Sequence, residues 1–392
     1  MSEGLDLEAI LANEDLRRRE FPVAARVAYL AHAAVGPLPA RVAAAITRYA
    51  ATAAETGQFE HLHKPSEDRA RSLAASLLGA SSDEIAFVPS TSAGLSLVAA
   101  GLPFQEGDSV VIADGDFPAN IYPWLGLERR GVRVTRIPKN AGGLITKLDV
   151  LGALDERTRL VSLSSVHFST GAAIDVDAIG AALHDRGVLF CVDAIQSLGA
   201  LPTSARHVDF LAADAHKWLL GPQGIGILFV RRARLADLYP ALLGWKSVRA
   251  DRDYGHTALE LKDDARRYEP GSLNAIGLVG LAEALSLIEA VGVTRIADRL
   301  SHLRSVLVRG LLDRGFEVTG TTREGEVDAR PTGITSFHDP GGDMAALHKK
   351  LLTEGIIVSL RADPAGRPIL RAAPHFYTTE REIEALLNAL RR

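Results

Sequence analysis

Along the chain, short runs with strand spacing alternate with stretches of helical spacing. From Ile85 onward the strand-like runs fall at 85–88, 109–113, 133–137, 160–166, 188–192, 210–213 and 225–230. Several end abruptly on glycine or a polar residue, as strands buried on both faces of a mostly parallel sheet do. Ahead of them the pattern predicts a helix over Leu5–Glu20, a short strand from Val27, a Gly-Pro turn and a helix from Arg41. A further helical stretch runs over Leu95–Leu102. After Val230 the character changes. A polar, irregular region up to Tyr268 precedes two long helices, Gly277–Val291 and Thr294–Arg314. A strand at Gly333–Phe337, a helix at Asp343–Glu354 and strands at Ile356–Leu360 and Ile369–Ala372 follow. Thr379 and Glu382 have the spacing of a capping box for a last helix. The predicted class is α/β, with a large domain on a mostly parallel central sheet flanked by helices and a smaller α+β C-terminal domain.

Length agrees with two domains, since 392 residues exceed the roughly 250–300 at which single cores stop growing. The expected division is an N-terminal arm over 1–28, a large domain over 29–255 and a small domain over 256–392. With 47% hydrophobic and 23% charged residues and a net charge of −4, the chain offers no electrostatic case for nucleic acid or an acidic membrane surface. A single cysteine excludes an intramolecular disulfide framework and fits a reducing compartment, so a cytoplasmic location is expected. The acidic N-terminus lacks the apolar core of a secretory signal. No apolar run approaches the roughly 20 residues of a membrane helix.

The candidate chemistry gathers at strand ends, where functional groups of open α/β sheets collect. The run 188–192 ends on Asp193, with Gln196 three residues later, and 210–213 delivers Asp214, His216 and Lys217. Singly, an aspartate there is an N-cap and a lysine a solvated surface residue; together they place an anion and a cation at neighbouring strand ends. Ser90, Thr91, Ser92 and Gly94 open a helix after a strand. That start is either an ordinary N-cap or an anion site made by backbone N–H groups and the helix dipole. No phosphate-loop or dinucleotide-binding glycine motif is present. His61 and His63 form a His-x-His pair with no third ligand nearby, so no metal site is expected.

The segments Val-Asp-Ala-Ile-Gln at 192–196 and Ala-Asp-Ala-His-Lys-Trp-Leu-Leu-Gly-Pro-Gln-Gly at 213–224 resemble the class V aminotransferases. These are pyridoxal 5'-phosphate enzymes of the aspartate-aminotransferase fold, a group that includes cysteine desulfurases, kynureninases and epimerase-like proteins. The resemblance runs from about Tyr29 to the C-terminus. It implies that Lys217 forms a Schiff base with the cofactor, Asp193 pairs with the pyridine nitrogen and Gln196 contacts the ring oxygen. His216, with Asp214 beside it, would hold the phosphate or the cofactor face, and Thr91 and Ser92 match the phosphate-holding positions. Phe117 matches the position of the ring-stacking residue, where kynureninases also carry Phe-Pro and cysteine desulfurases a histidine. His167 lies in the substrate-side loop, where members commonly carry asparagine. His32 stands in the N-terminal turn either lining the site or as a packed or capping histidine. Ser272, in a turn that crosses the dimer interface in the family, would contact the partner subunit's phosphate, so a homodimer with composite sites is expected.

The chemistry asks for the same residue types. A Schiff base needs an amine that loses its proton near neutral pH, and a lysine amine does so readily on burial. A guanidinium fork suits the α-carboxylate of an amino acid. By resemblance Arg371 is the first candidate for that role and Arg361 the second. Cysteine desulfurases need a nucleophilic thiol on the loop between the last two strands, and the stretch 359–368 contains no cysteine. Transamination of an amino acid is the leading expectation. Epimerisation, carbon–carbon or carbon–sulfur cleavage without an enzyme thiol, and ligand binding without turnover are the alternatives.

Overall fold

The computed structural model describes residues 7–138, 144–255, 257–319, 332–363 and 366–390. Where one N-terminal helix was expected, two form: α1 (Leu7–Ala12) and α2 (Glu14–Glu20). Asn13 makes the break, because its side chain accepts from Leu16 N at 3.0 Å and caps the second helix. Residues 5 and 6 of the expected helix lie outside the described residues, as do 364 and 365 of the thiol-free loop. The two-residue strand β1 (Ala28–Tyr29) then leads to α3 (Ala40–Thr56) and α4 (Glu60–Leu78).

The expected sheet follows. Its strands are β2 (Ile85–Val88), β3 (Ser109–Ala113), β4 (Arg133–Ile137), β5 (Thr158–Ser164), β6 (Leu189–Asp193), β7 (Phe210–Asp214) and β8 (Gly226–Val230). They order as β2-β8-β7-β6-β5-β3-β4. Neighbours from β4 to β7 pair in parallel, and β8 is antiparallel to both β2 and β7. Helices α5 (Thr91–Gly101), α6 (Tyr122–Leu125), α7 (Lys147–Gly152) and α8 (Val176–His184) connect the strands. Alternate strand residues serve opposite faces. Phe87, Val111, Val161 and Val192 pack with α4 and α8 on one side, while Val88, Val110, Leu160 and Cys191 pack with α5 on the other. Covering both faces leaves the strand ends as the place for polar groups, and Ser164, Asp193 and Asp214 end β5, β6 and β7.

Helix α9 (Ala275–Val291) packs along α3 and α4. At Gly292 the chain bends by 76° into α10 (Val293–Leu312). There follow β9 (Glu317–Val318), β10 (Thr335–His338), α11 (Met344–Thr353), β11 (Ile356–Ile357), β12 (Ser359–Ala362), β13 (Pro368–Ala372) and α12 (Glu380–Ala389). The antiparallel order β12-β13-β10-β9 makes the second sheet. The strand expected over Ile356–Leu360 divides, because β11 pairs instead with β1. The N-terminal segment is thereby stitched to the C-terminal unit, and Ala31 bridges to Ala373. The Thr379–Glu382 capping box forms. Among the described residues no single helix is long and apolar enough to cross a membrane.

Candidate active site

Parallel pairing puts the ends of β5 and β6 side by side, with Ser164 opposite Asp193. Asp193 is buried, and its carboxylate accepts from Ile195 N at 3.0 Å. Burial, reinforced by the nearby Asp116 carboxylate, raises its pKa to about 7, against the pull of Ile195 N–H and Lys217. Lys217 lies in the turn after β7, buried, with its Nζ 5.6 Å from the centroid of the Phe117 ring. Burial brings its amine down to about 8, while Asp193 opposes the change and Arg371 adds to it. A lysine near neutrality beside a buried carboxylate is the environment an amine nucleophile or base requires.

The backbone around that lysine is clamped. His216 O accepts from Gly36 N at 2.6 Å and Trp218 O accepts from His375 at 3.0 Å. A Cβ on Gly36 would stand 2.7 Å from Lys217 O, so the Gly-Pro turn admits only glycine there. Leu220, three residues on, is held at φ 57°, a left-handed conformation that costs a leucine about 1–3 kcal/mol.

Around the N-terminus of α5, Thr91 and Asp214 bond reciprocally. Asp214 N donates to Thr91 Oγ1 at 2.9 Å, and Thr91 N donates to Asp214 Oδ2 at 3.1 Å. Ser90 caps the helix through Ala93 N, and Ser92 is exposed. Asp214 Oδ1 and His216 Nδ1 are buried without a hydrogen-bond partner and stand 3.8 Å apart. Gln196 is tied at both ends of its amide, donating to Ala33 O at 3.0 Å and accepting from Trp218 Nε1 at 2.9 Å.

Arg371, on β13, is buried, and one of its terminal nitrogens donates to Phe168 O. Its Nε has no partner. Burial, with Arg361 adding repulsion, lowers its basicity to about 9. Phe168 meets Phe117 edge-on at 5.3 Å between centroids, so the loop held by Arg371 also walls the space beside Lys217. Arg361 is exposed and bonds its neighbour Leu360 O. It contributes charge to the site rather than a direct contact.

Two histidines brace the site instead of lining it. His32 is fully buried, donating from Nδ1 to Ala373 O at 2.9 Å and accepting at Nε2 from Tyr377 at 2.8 Å. Of the two roles open to it, the packed one is realised, and burial with His375 nearby keeps it well below the usual histidine range. His167 Nε2 bonds Gly115 O at 3.2 Å and its Nδ1 accepts from Thr170 N at 3.2 Å, fixing the 167–171 turn. Ser272 is exposed, on the rim of an apolar cavity lined by Phe87, Leu97, Leu242 and Tyr268. Cys191 is buried within β6. Among the described residues no group of three or more metal-ligating side chains occurs.

Sequence reading passed over Asp116. Its buried carboxylate accepts from Phe117 N at 2.7 Å, Ser164 Oγ at 2.8 Å, Asn120 Nδ2 at 3.0 Å and Ser164 N at 3.2 Å. The signal available was an aspartate directly before the stacking candidate, with Asn120 one helical turn on. The trio His32, His375 and Tyr377 behind the lysine was legible only as scattered aromatic residues.

These residues fit pyridoxal phosphate. An unpartnered histidine nitrogen next to a helix N-terminus suits an anion, a buried amine suits an aldehyde, and a buried carboxylate suits a protonated ring nitrogen. The profile of the Aminotransferase class-V family matches residues 28–386. A probable cysteine desulfurase of Methanothermobacter thermautotrophicus is 36% identical over 70% of this chain and 70% of its own. The apo cysteine desulfurase of Thermococcus onnurineus superposes with a TM-score of 0.86 at 26% identity, covering 96% of both chains. The cystine C–S lyase C-DES, solved with its product cysteine persulfide, gives 0.84 at 26% identity over 94% of this chain and 98% of its own. A C-DES variant has also been solved with glycine covalently linked to its pyridoxal-phosphate cofactor; it gives 0.86 at 25% identity, covering 95% of this chain and 98% of that one.

Proposed function

The chain belongs to the class-V aminotransferase family of pyridoxal-phosphate enzymes, and from that premise we propose that it is a carbon–sulfur lyase that uses no thiol of its own. The observation that carries the reading is the place of Cys191. It is the chain's one cysteine, fully buried inside β6, and burial pushes its thiol well above the usual range. A thiol so placed neither ionises readily nor meets a substrate. Sulfur transfer to an enzyme cysteine therefore has no acceptor, although several similar proteins are named for desulfuration. The cystine C–S lyase, whose product is cysteine persulfide, offers the alternative in which sulfur leaves with the substrate.

When bound, pyridoxal phosphate supplies an aldehyde for an amine and a protonated ring that draws electrons from the bond being broken. The N-terminus of α5 and His216 would hold its phosphate, Asp193 its ring nitrogen, and Phe117 one ring face. Arg371 would take the substrate carboxylate through its free edge. Lys217, near neutrality, would remove the α-proton. The Cα–H and Cβ–S bonds break, and the sulfur departs as thiolate with its bonding pair. In sum a cysteine thioether or cystine plus one water gives a thiol or persulfide, pyruvate and ammonium. We further propose that the site is completed across a homodimer, with the exposed Ser272 hydroxyl serving the partner's cofactor.

Transamination, the leading expectation from sequence, would use the same lysine and arginine, so products decide between them. Purified protein is incubated with cysteine, cystine and S-alkyl cysteines, and separately with other amino acids plus a 2-oxo acid. Thiol or persulfide released in step with pyruvate supports the lyase. Amino transfer that depends on the 2-oxo acid, without sulfur release, overturns it.

A further inference from the structure

Asp193 faces more negative charge than its own. Asp116, on the loop after β3, reaches Ser164 N and Oγ at 3.2 and 2.8 Å. Ser164 is the residue paired with Asp193 across β5 and β6. Asp116 is thus fixed one strand away by four hydrogen bonds and is buried. Asp214 and Lys217, from β7 and the turn after it, are the other charged groups acting on Asp193. Among the described residues Asp116 pairs with no cation: its four hydrogen bonds all come from neutral N–H or O–H donors. A carboxylate held on the strand next to Asp193 disfavours the charge on Asp193 and favours a cation placed against it.

We propose that Asp116 is a positioning residue that sets the charge behind Asp193, so that the site prefers a ring carrying a proton on its nitrogen. The inference rests on the reading of Asp193 as the partner of the ring nitrogen. The same carboxylate fixes the Phe117 backbone at 2.7 Å, which ties the ring's cover and its charge to one side chain. Burial and Asp116 together hold the pKa of Asp193 up at about 7. That is the expected state of a carboxylate lacking its cation.

The test compares two probes on apoprotein by equilibrium binding: pyridoxal 5'-phosphate, and its 1-deaza analogue with carbon in place of the ring nitrogen. Wild type should prefer the natural ring. In Asp116→Asn that preference should fall about tenfold, the equivalent of one pH unit of proton affinity, with analogue affinity changed less than about threefold. A purely structural role would weaken both probes together and would overturn the proposal. If Asp116→Asn does not fold, the double variant Asp116→Asn with Asn120→Asp keeps the donor–acceptor pairing between the two side chains while moving the charge away from Asp193. The preference should fall there too, and an unchanged preference refutes the idea. A wild type indifferent to the two rings would refute the Asp193 reading itself, and this inference with it.

Discussion

Arg371 should be a residue that function requires and stability does not. Among the described residues its guanidinium is buried, bonds Phe168 O alone, leaves Nε unpartnered and meets Arg361 as a like charge. The fall from 12.5 to about 9 corresponds to about 5 kcal/mol disfavouring the charged form. This is an upper bound, since buried sites respond with an effective dielectric well above that of a dry interior. Arg371→Met removes the charge and keeps much of the volume, and it loses the bond to Phe168 O, worth about 1.5–3 kcal/mol. The net expectation is a free protein more stable by about 1–3 kcal/mol, readable as a rise of a few degrees in Tm. A base whose folded value lies below its unfolded one destabilises fully at pH below about 9 and progressively less above it. The gain should therefore be equal at pH 6 and pH 8. Function should move the other way. Two charge-assisted bonds to a carboxylate are worth about 3–6 kcal/mol, so kcat/KM should fall about 10²- to 10⁴-fold, and amino-acid ligands should no longer raise Tm. Calorimetry of apoprotein with and without glycine, followed by steady-state kinetics, reads both effects. A variant that melts several degrees lower, or one with unchanged KM, would refute the reasoning.

Three further outcomes follow from the same geometry. Capture of pyridoxal phosphate by apoprotein should quicken as pH rises through about 8, because Lys217 must lose its proton and burial disfavours the charged form. About a tenth of the amine is free at pH 7, against a few parts in ten thousand at an ordinary lysine value. Stopped-flow rates flat across pH 6–9, or borohydride fixing the cofactor to any other lysine, would contradict this. Cys191→Ala should retain sulfur release within about twofold while costing up to about 1–2 kcal/mol of stability for the small buried void, and complete loss of sulfur release would restore a catalytic thiol. Ser272→Ala should weaken cofactor retention about 10- to 150-fold, the worth of one hydrogen bond to a charged phosphate. Mixing it with Lys217→Ala chains should regain one wild-type-affinity site per heterodimer if the site is shared, and none if each chain builds its own.

The inner strands were legible because burial on both faces leaves its mark on every residue, as in β3 and β8, whereas the edge strand β4 keeps both its arginines exposed. The ends of β3, β4 and β8 follow the apolar pattern to within a residue. The places where the reading slipped are decided by partners that sequence does not display. Asn13 divides the first helix by capping with its own side chain. The stretch 356–360 divides because β1 and β13 each claim half of it. Lys217 and Asp193 stood out in sequence as a cation and an anion at strand ends, Arg371 was named by resemblance, and the structure buries all three. Their surroundings were not. A histidine in a site-lining motif looks the same in sequence whether or not its two nitrogens are already engaged, as those of His32 are.

What the fold adds is the list of charges left without partners, and that list describes a ligand. Arg371 lacks an anion at its Nε edge. His216 Nδ1, beside the Asp214 carboxylate that accepts from the first N–H of α5, has no hydrogen-bond partner. Asp193 lacks a cation strong enough to hold it ionised against burial and Asp116. A ligand with two anionic groups and one cationic group meets all three needs at once, and a cofactor phosphate, a protonated ring and a substrate carboxylate would supply them. Asp214 fits the scheme less simply. It is a carboxylate spending one oxygen on Thr91 N, in a place where a phosphate would also look for donors. Its other oxygen has no hydrogen-bond partner and stands 3.8 Å from His216 Nδ1. In that arrangement Asp214 anchors the helix start with one oxygen and leaves the other facing His216, so the carboxylate fixes the backbone at the mouth of the site while the imidazole beside it stays uncommitted.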